Sequence, residues 1–171
     1  MAKKTMSWSK CQIEIGKTGE NDVMATSLKS VGVIKDKSST LEASEGEALE
    51  AKATGGELVA KEVSEGGYQL KTRVIEPTED LLTELGLGAT SNGDFNVKTH
   101  VVEGNFSVKL TPKNVGGKGI KAPKCSVTYA PGWSEEEGAY ADLTFDILKG
   151  EGDYWYSIFT KSTSTSTSTS S

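Results

Sequence analysis

The sequence predicts a mainly β protein, either an antiparallel β-sandwich or a partly closed barrel, with one short flanking α-helix and a long extended hairpin or loop. Apolar and polar residues alternate along several runs, which is typical of strands with one wet face. Turn residues separate these runs, since the chain has 19 glycines and four prolines. A single stretch has the spacing and capping of a helix. Successive strands with hairpin links favour an antiparallel sheet around one core.

The alternating runs predict the strands in chain order. The strong ones cover residues 11–15, 68–74, 95–101, 106–110 and 139–147. Weaker strands are expected at 31–35, 40–43, 47–53, 57–64, 120–129 and 154–160. The apolar positions of the strong runs should face inward, namely Ile13, Leu70, Val97, Val108, Leu143 and Phe145.

Turn chemistry predicts the connections. Residues 54–56 and 65–67 are hairpin-like, and residues 102–105 should form a tight hairpin between two strong strands. Asn92-Gly93 should begin the strand at 95. Loops are expected from 112 to 119, and from Ala130-Pro131-Gly132 through the acidic residues to Gly138.

The helix is expected at residues 78–85. Thr78 follows Pro77 and can cap the first turn, where Glu79 and Asp80 favour the positive end of the helix dipole. Leucines 81, 82 and 85 form an apolar stripe, and Gly86 is a natural stop.

Three segments are expected along the 171 residues. Residues 1–8 form a flexible N-terminal arm, residues 9–160 a single β domain, and residues 161–171 a disordered tail of Ser and Thr. The basic start at Met1 is not followed by the apolar stretch of a signal peptide, so we expect folding in a cytoplasm. No run is apolar enough to span a bilayer, and no membrane partner is expected.

Composition argues against nucleic-acid binding and against metal or cofactor chemistry. A pI near 5.0 and a single arginine, Arg73, do not suit a phosphate-binding surface. His100 is the sole histidine, so neither a His-rich zinc site nor a well-supported catalytic triad is available. Residues 113–119 lack the first Gly and the final Ser or Thr of a phosphate-binding loop. We therefore expect no enzyme activity, no cofactor and no metal, although a carboxylate pair that cleaves a glycoside stays open.

Two smaller features have alternative interpretations. Cys11 and Cys125 are 114 positions apart and are expected to be reduced thiols in the core, with a disulfide or a reactive thiol as the alternative. Tyr129, Trp133 and Tyr140 lie near an acidic loop, where they either stack on a sugar or pack in the sheet.

Charge is concentrated between residues 39 and 65. Two lysines, Lys52 and Lys61, stand among seven glutamates, and the resulting net charge of −5 equals that of the whole chain. The glutamates are Glu42, Glu45, Glu47, Glu50, Glu57, Glu62 and Glu65. Such charge on strand-like segments indicates a surface that faces a partner or a solvated face without a further role.

The strand order, the hairpin-like region 39–65 and the helix at 78–85 together resemble the major tail tube proteins of long-tailed bacteriophages, relatives of the tube protein of type VI secretion. The resemblance implies hexameric rings that stack into a tube within a virion tail, beside other tail proteins, after synthesis in the host cytoplasm. It also implies a channel through which DNA passes without specific binding. The candidate lumen-facing residues are then Glu42, Glu47, Glu50 and Glu62.

The alternative function is a β-sandwich module that binds a carbohydrate or a surface partner. A tube subunit should form rings or polymers at high concentration, whereas a binding module should stay monomeric and respond to glycans.

Overall fold

The computed structural model describes residues 10–44, 46, 48–63 and 66–162, with the backbone alone at 62 and 63. The predicted arm, residues 1–8, lies outside the described residues, as does nearly all of the predicted tail. The chain in between is mainly β with one short helix.

The elements follow one another in a simple order. The strands are β1 (Cys11–Lys17), β2 (Lys29–Ser30), β3 (Val33–Ile34), β4 (Thr40–Ala43), β5 (Ala48–Lys52), β6 (Leu58–Val63), β7 (Tyr68–Ile75), β8 (Gly88–Ser91), β9 (Asp94–Val97), β10 (Val101–Pro112), β11 (Lys118–Ser134), β12 (Gly138–Ile147) and β13 (Ser157–Thr160). The helix α1 (Glu79–Glu84) lies between β7 and β8, and single 3-10 turns occupy Glu20–Asp22 and Glu151–Asp153.

The main sheet is antiparallel and curled into a half-barrel. Its strands run β2-β1-β10-β11-β12-β7-β3, with β4 also on β7 and β13 also on β11. The two end strands are neighbours in sequence, because Val31 still bonds to Ile13 on β1 while Ile34 already pairs with Val74 on β7. This short link holds the two edges close together, so the curled sheet is a partly closed barrel.

The core fills the inside of this curl. Five of the six predicted inward residues are buried, namely Ile13, Leu70, Val108, Leu143 and Phe145. Leu81, Leu85 and Leu87 from the helix and the residues after it close one side. Cys125 is buried as a free thiol, and burial together with the Asp146 charge raises its pKa to about 12. Cys11 is a half-buried free thiol.

The helix confirms its sequence signals. The Thr78 hydroxyl accepts a hydrogen bond from Leu81 N, and Thr78 itself is extended, as an N-cap residue is. Gly86 has φ +72°, a left-handed conformation that favours glycine after a helix.

The predicted hairpin at residues 102–105 is wrong. β10 runs without a break from Val101 to Pro112, and the segment holds a bulge against β11 with Gly104 at φ +82°. The tight turn lies at Asn92-Gly93, where both residues have positive φ and join β8 to β9, as a type I′ hairpin requires. The turn residues at 92–93 and at 102–105 both predicted an irregularity in the backbone. Whether the chain reverses there depends on which strand pairs next to it.

Two further expectations fail for related reasons. Val97 is 60% exposed, because β9 pairs only with β8 in a two-stranded hairpin that has no third strand to cover it. Ala130-Pro131-Gly132 continues β11 and does not open a loop. Pairing of β11 with β10 ends at Thr128, so Pro131 lies where one side of β11 is an edge and a missing N–H is tolerated.

Candidate functional site

A long two-stranded ribbon projects from the body of the protein. Ala43 pairs with Tyr68 at the base and Ala48 pairs with Val63 further out, in the same register. Ser44 extends the pairing at the base, since its N–H and hydroxyl both donate to the Gly67 carbonyl. The predicted extended hairpin is therefore confirmed, and we call residues 48–63 the distal ribbon.

The turn at the tip follows from its glycines. Gly55 and Gly56 have φ of +104° and +87°, which residues with side chains rarely adopt. Ala53 N donates to the Glu57 carbonyl and Gly56 N to the Ala53 carbonyl, at 2.8 Å and 3.0 Å. The sequence signal at residues 54–56 thus marks the point where the ribbon reverses.

The described residues of the chain leave the distal ribbon uncovered. Every residue from 48 to 61 is exposed. Leu49, Leu58 and Val59 keep 70%, 51% and 68% of their surface in contact with solvent. Large apolar side chains grouped on a projecting element indicate an interaction surface.

The structure describes the side chains of two of the four predicted lumen-facing glutamates, Glu42 and Glu50. Glu42 lies at the ribbon base with a carboxylate oxygen 3.6 Å from Lys71 Nζ. Glu50 lies 3.7 Å from Lys61 Nζ and 3.8 Å from Lys52 Nζ. Position 62 pairs with Leu49 and is described by its backbone alone, while Glu47 lies outside the described residues.

Glu50 is paired within its own ribbon. It pairs in register with Lys61, and the neighbouring pair joins Leu49 to position 62. Adjacent pairs of a ribbon belong to opposite faces, so Leu49 and Glu50 lie on opposite faces. Among the described side chains of residues 48–61, two lysines balance the two glutamates, and both lysines lie beside Glu50.

An ion network that the sequence did not predict lies near the turn between β11 and β12. Arg73 donates from Nε and Nη2 to both carboxylate oxygens of Asp142, at 2.7 Å and 3.0 Å, and from Nη1 to Glu137 at 2.8 Å. Its guanidinium also lies 4.3 Å from the centre of the Tyr140 ring. The one sequence signal for this network is the opposite charge of Arg73 and Asp142. Their pairing can be recognised only once the register between β7 and β12 is known.

Two cations act on Glu137 within this network. A hydrogen bond from Lys35 is the main cause that lowers the pKa of Glu137, and the nearby Arg73 charge lowers it further. The same carboxylates raise the pKa of Arg73, through its Asp142 hydrogen bond above all. The network ties the 35–38 turn, β7 and the β11–β12 turn together.

Aromatic side chains line an open groove near the C-terminal end of the described chain. The groove has a volume of roughly 440 Å³ and is lined by Tyr68, Lys149, Asp153, Tyr154, Trp155, Tyr156 and Ile158. Tyr68 packs edge-on against Trp155 and Tyr156, with ring centres 5.7 Å and 5.1 Å apart.

The three aromatic residues that the sequence suggested for sugar stacking form no common platform. Tyr129 is buried in the core, whereas Trp133 is 72% exposed. Tyr140 pairs with Gly132 and Trp133 with Ala139, which are neighbouring pairs on opposite faces of the sheet. The groove described above uses different residues, from β7 and the segment before β13.

His100 is exposed just before β10. No group of three or more His, Cys, Asp or Glu residues in the described part of the chain is arranged to hold a metal ion. None of its helices has the length and apolar character needed to cross a membrane.

Comparison with known proteins assigns no family. The sequence matches no protein-family model, and no curated protein is similar to it.

Proposed function

We propose that this protein is a self-assembling structural subunit of a phage-type tail tube, in which six copies form a ring and stacked rings enclose a channel for DNA. The observation that carries the proposal is the distal ribbon, whose Leu49, Leu58 and Val59 the other described residues leave exposed to solvent. Another copy of the chain would bury them.

The half-barrel is compatible with assembly through its edges. Its short outer strands leave backbone donors and acceptors that a neighbouring chain can pair with. In a ring of such subunits, curled sheets placed side by side would extend one another. Glu42, Glu47, Glu50 and Glu62 are the candidates for an acidic channel wall, which would repel DNA phosphates.

Sedimentation of the purified chain over a range of concentrations tests the proposal. We expect monomers at low concentration and ring-sized species or tubes at high concentration, visible by electron microscopy. Leu49→Ser with Val59→Ser should abolish the large species. Val97→Ser with Val101→Ser is the matched control, because these side chains are similarly exposed but lie outside the ribbon.

Two results would reject this function. One is a parent protein that stays monomeric up to its solubility limit. The other is assembly that the control pair weakens as much as the ribbon pair does.

The aromatic groove favours a second candidate function, a module that binds a carbohydrate. Tyr154 is 70% exposed at the groove, and an exposed aromatic ring is a surface on which a sugar ring can stack. A glycan array should then show binding that Trp155→Ala removes. Trp133→Ala changes an exposed tryptophan outside the groove and should have no effect. Absence of any glycan signal would reject this candidate.

A further inference from the structure

Three distant segments of the chain contain lysines but no acidic side chain. Residues 1–13, 104–134 and 154–171 together hold nine lysines and no Asp or Glu. The sheet brings their described parts together, because β1 pairs with β10, β10 with β11 and β11 with β13. Glu14, the one carboxylate of β1, pairs in register with Lys109. This part of the sheet is therefore basic, although the whole chain has a net charge of −5.

A pocket lies where the ends of these segments meet. Its volume is roughly 250 Å³, and each segment contributes one lysine to its lining, namely Lys10, Lys113 and Lys161. Lys113 N donates to the Lys10 carbonyl at 2.9 Å, and Lys161 Nζ donates to the Lys113 carbonyl at 2.9 Å. Lys161 N also donates to the Gly117 carbonyl at 2.9 Å. Hydrogen bonds between the three segments thus hold the lysines around one space.

The chemistry of this pocket suits an anion. The described residues that line it include no Asp or Glu, and Gln12 adds the donors of its amide group. Positive charges around one small space repel one another, and an anion between them removes that repulsion. Pockets for drug-sized ligands measure about 300–1,000 Å³, so this one suits a smaller group.

Thr111 is a second, independent sign of a ligand. Its Oγ1 is buried and has no hydrogen-bond partner among the described residues. Nearly all buried hydroxyls have a partner, because an unpaired one costs free energy. Since Thr111 lines the pocket, rotation of its side chain to another staggered position brings the hydroxyl to an oxygen bound there.

We propose that this pocket binds the phosphoryl group of a small ligand. The three lysines would neutralise its charge, while Thr111 and Gln12 would donate hydrogen bonds to its oxygens. Lysine is a common phosphate ligand, and a doubly charged phosphate is attracted more strongly by three lysines than a single carboxylate is. The site is separate from the distal ribbon and from the aromatic groove, so it stands whether or not the chain assembles.

Titration of the full-length chain with inorganic phosphate tests the site. In heteronuclear NMR spectra at constant ionic strength, the backbone amides of Lys113, Gly117 and Lys161 should shift and reach saturation. Chloride at the same ionic strength should not reproduce these shifts. Acetate, the carboxylate probe, should bind at least about tenfold more weakly than phosphate.

Lysine variants test the pocket against the basic surroundings. Lys113→Gln and Lys161→Gln should each weaken phosphate binding about tenfold, as the loss of one charge-assisted hydrogen bond predicts. Lys121→Gln is the matched control, because it removes the same charge from residues 104–134 but lies outside the lining. It should bind phosphate like the parent. Circular dichroism verifies that each variant is folded.

Thr111→Val distinguishes a ligand role from a structural role. It replaces an unpartnered hydroxyl with a methyl group of similar size, so the phosphate-free protein should be at least as stable as the parent. Phosphate should bind about fivefold more weakly to it. Urea denaturation without phosphate measures the stability. A lower stability with unchanged phosphate binding would contradict the role given to this hydroxyl.

Three further results would overturn the site. Shifts that never saturate, or equal losses of binding in Lys113→Gln and Lys121→Gln, would mean an adventitious ion only. Equal affinity for acetate and phosphate would show that the pocket does not select a phosphoryl group. If a duplex DNA oligonucleotide shifts the same amides while phosphate does not, the pocket holds a nucleic-acid backbone and the small ligand is wrong.

Discussion

Two leucines show how burial separates folding from assembly at the residue scale. Leu143 on β12 is fully buried against the core, whereas Leu49 on the distal ribbon is 70% exposed. Truncation to alanine should therefore lower folding stability at Leu143 and weaken assembly at Leu49.

Leu143→Ala should lower the free energy of unfolding by about 2–5 kcal/mol, because it removes buried methyl groups and leaves a cavity. Leu49→Ala should change that free energy by less than about 0.5 kcal/mol in the free subunit, and should act on assembly. Urea denaturation of the monomer measures both. An unchanged unfolding midpoint for Leu143→Ala would contradict the core described above.

Glu137 makes the stability depend on pH in a predictable direction. Since its pKa is lowered in the folded chain, its contribution is complete above the ordinary pKa of a glutamate, about 4.5, and is lost as pH falls through the lowered value. Glu137→Gln should therefore melt earlier than the parent at neutral pH, and the gap should close in acid. Thermal melts from pH 7 to pH 3 test this.

Glu136→Gln is the control, because Glu136 is an exposed neighbour in the same turn. A gap between parent and Glu137→Gln that persists unchanged at pH 3 would show that the ion network is not its cause.

At the scale of elements, the helix is the element whose start, packing and end are all specified by residues within one short stretch. Thr78 caps it, the side chains of Leu81 and Leu85 pack into the core, and Gly86 ends it. These residues act within one short stretch, which is why the sequence predicted them.

Thr78→Ala should cost about 1 kcal/mol of stability, since it removes the acceptor for Leu81 N and leaves that donor without its cap. Thr83→Ala changes an exposed threonine inside the same helix and should have little effect or stabilise slightly. Chemical denaturation distinguishes the two, and equal losses would mean that the cap is unimportant.

At the scale of the whole molecule, the protein combines a curled sheet around a buried core with a distal ribbon whose residues 48–61 are exposed. Stability should be distributed in the same way, because local opening is easiest where few apolar contacts are buried.

Hydrogen exchange on the free subunit should be fast at residues 48–61 and slow in β12 and the adjoining part of β11. On assembly, protection should appear in the ribbon, with little change in the core. Strong protection of the ribbon in a proven monomer would contradict this, as would assembly that leaves the ribbon unprotected.

The sequence by itself determined the local elements. Alternation placed most strands within a few residues, the caps fixed the helix, Gly55 and Gly56 marked the ribbon tip, and the glutamates showed where the charge is concentrated. Each of these signals arises from residues close together in the chain, so no knowledge of distant partners is needed.

Only the tertiary structure decided which strands are neighbours. Closure of the half-barrel through residues 29–34, the exposure of Val97 and the Arg73 network all depend on pairings between distant segments. Alternation with a period of two shows which side chains share a face of a strand. It does not show which other strand pairs with that strand, because any partner gives the same alternation. The choice of partner depends on how the whole core packs, which no short stretch of the sequence specifies.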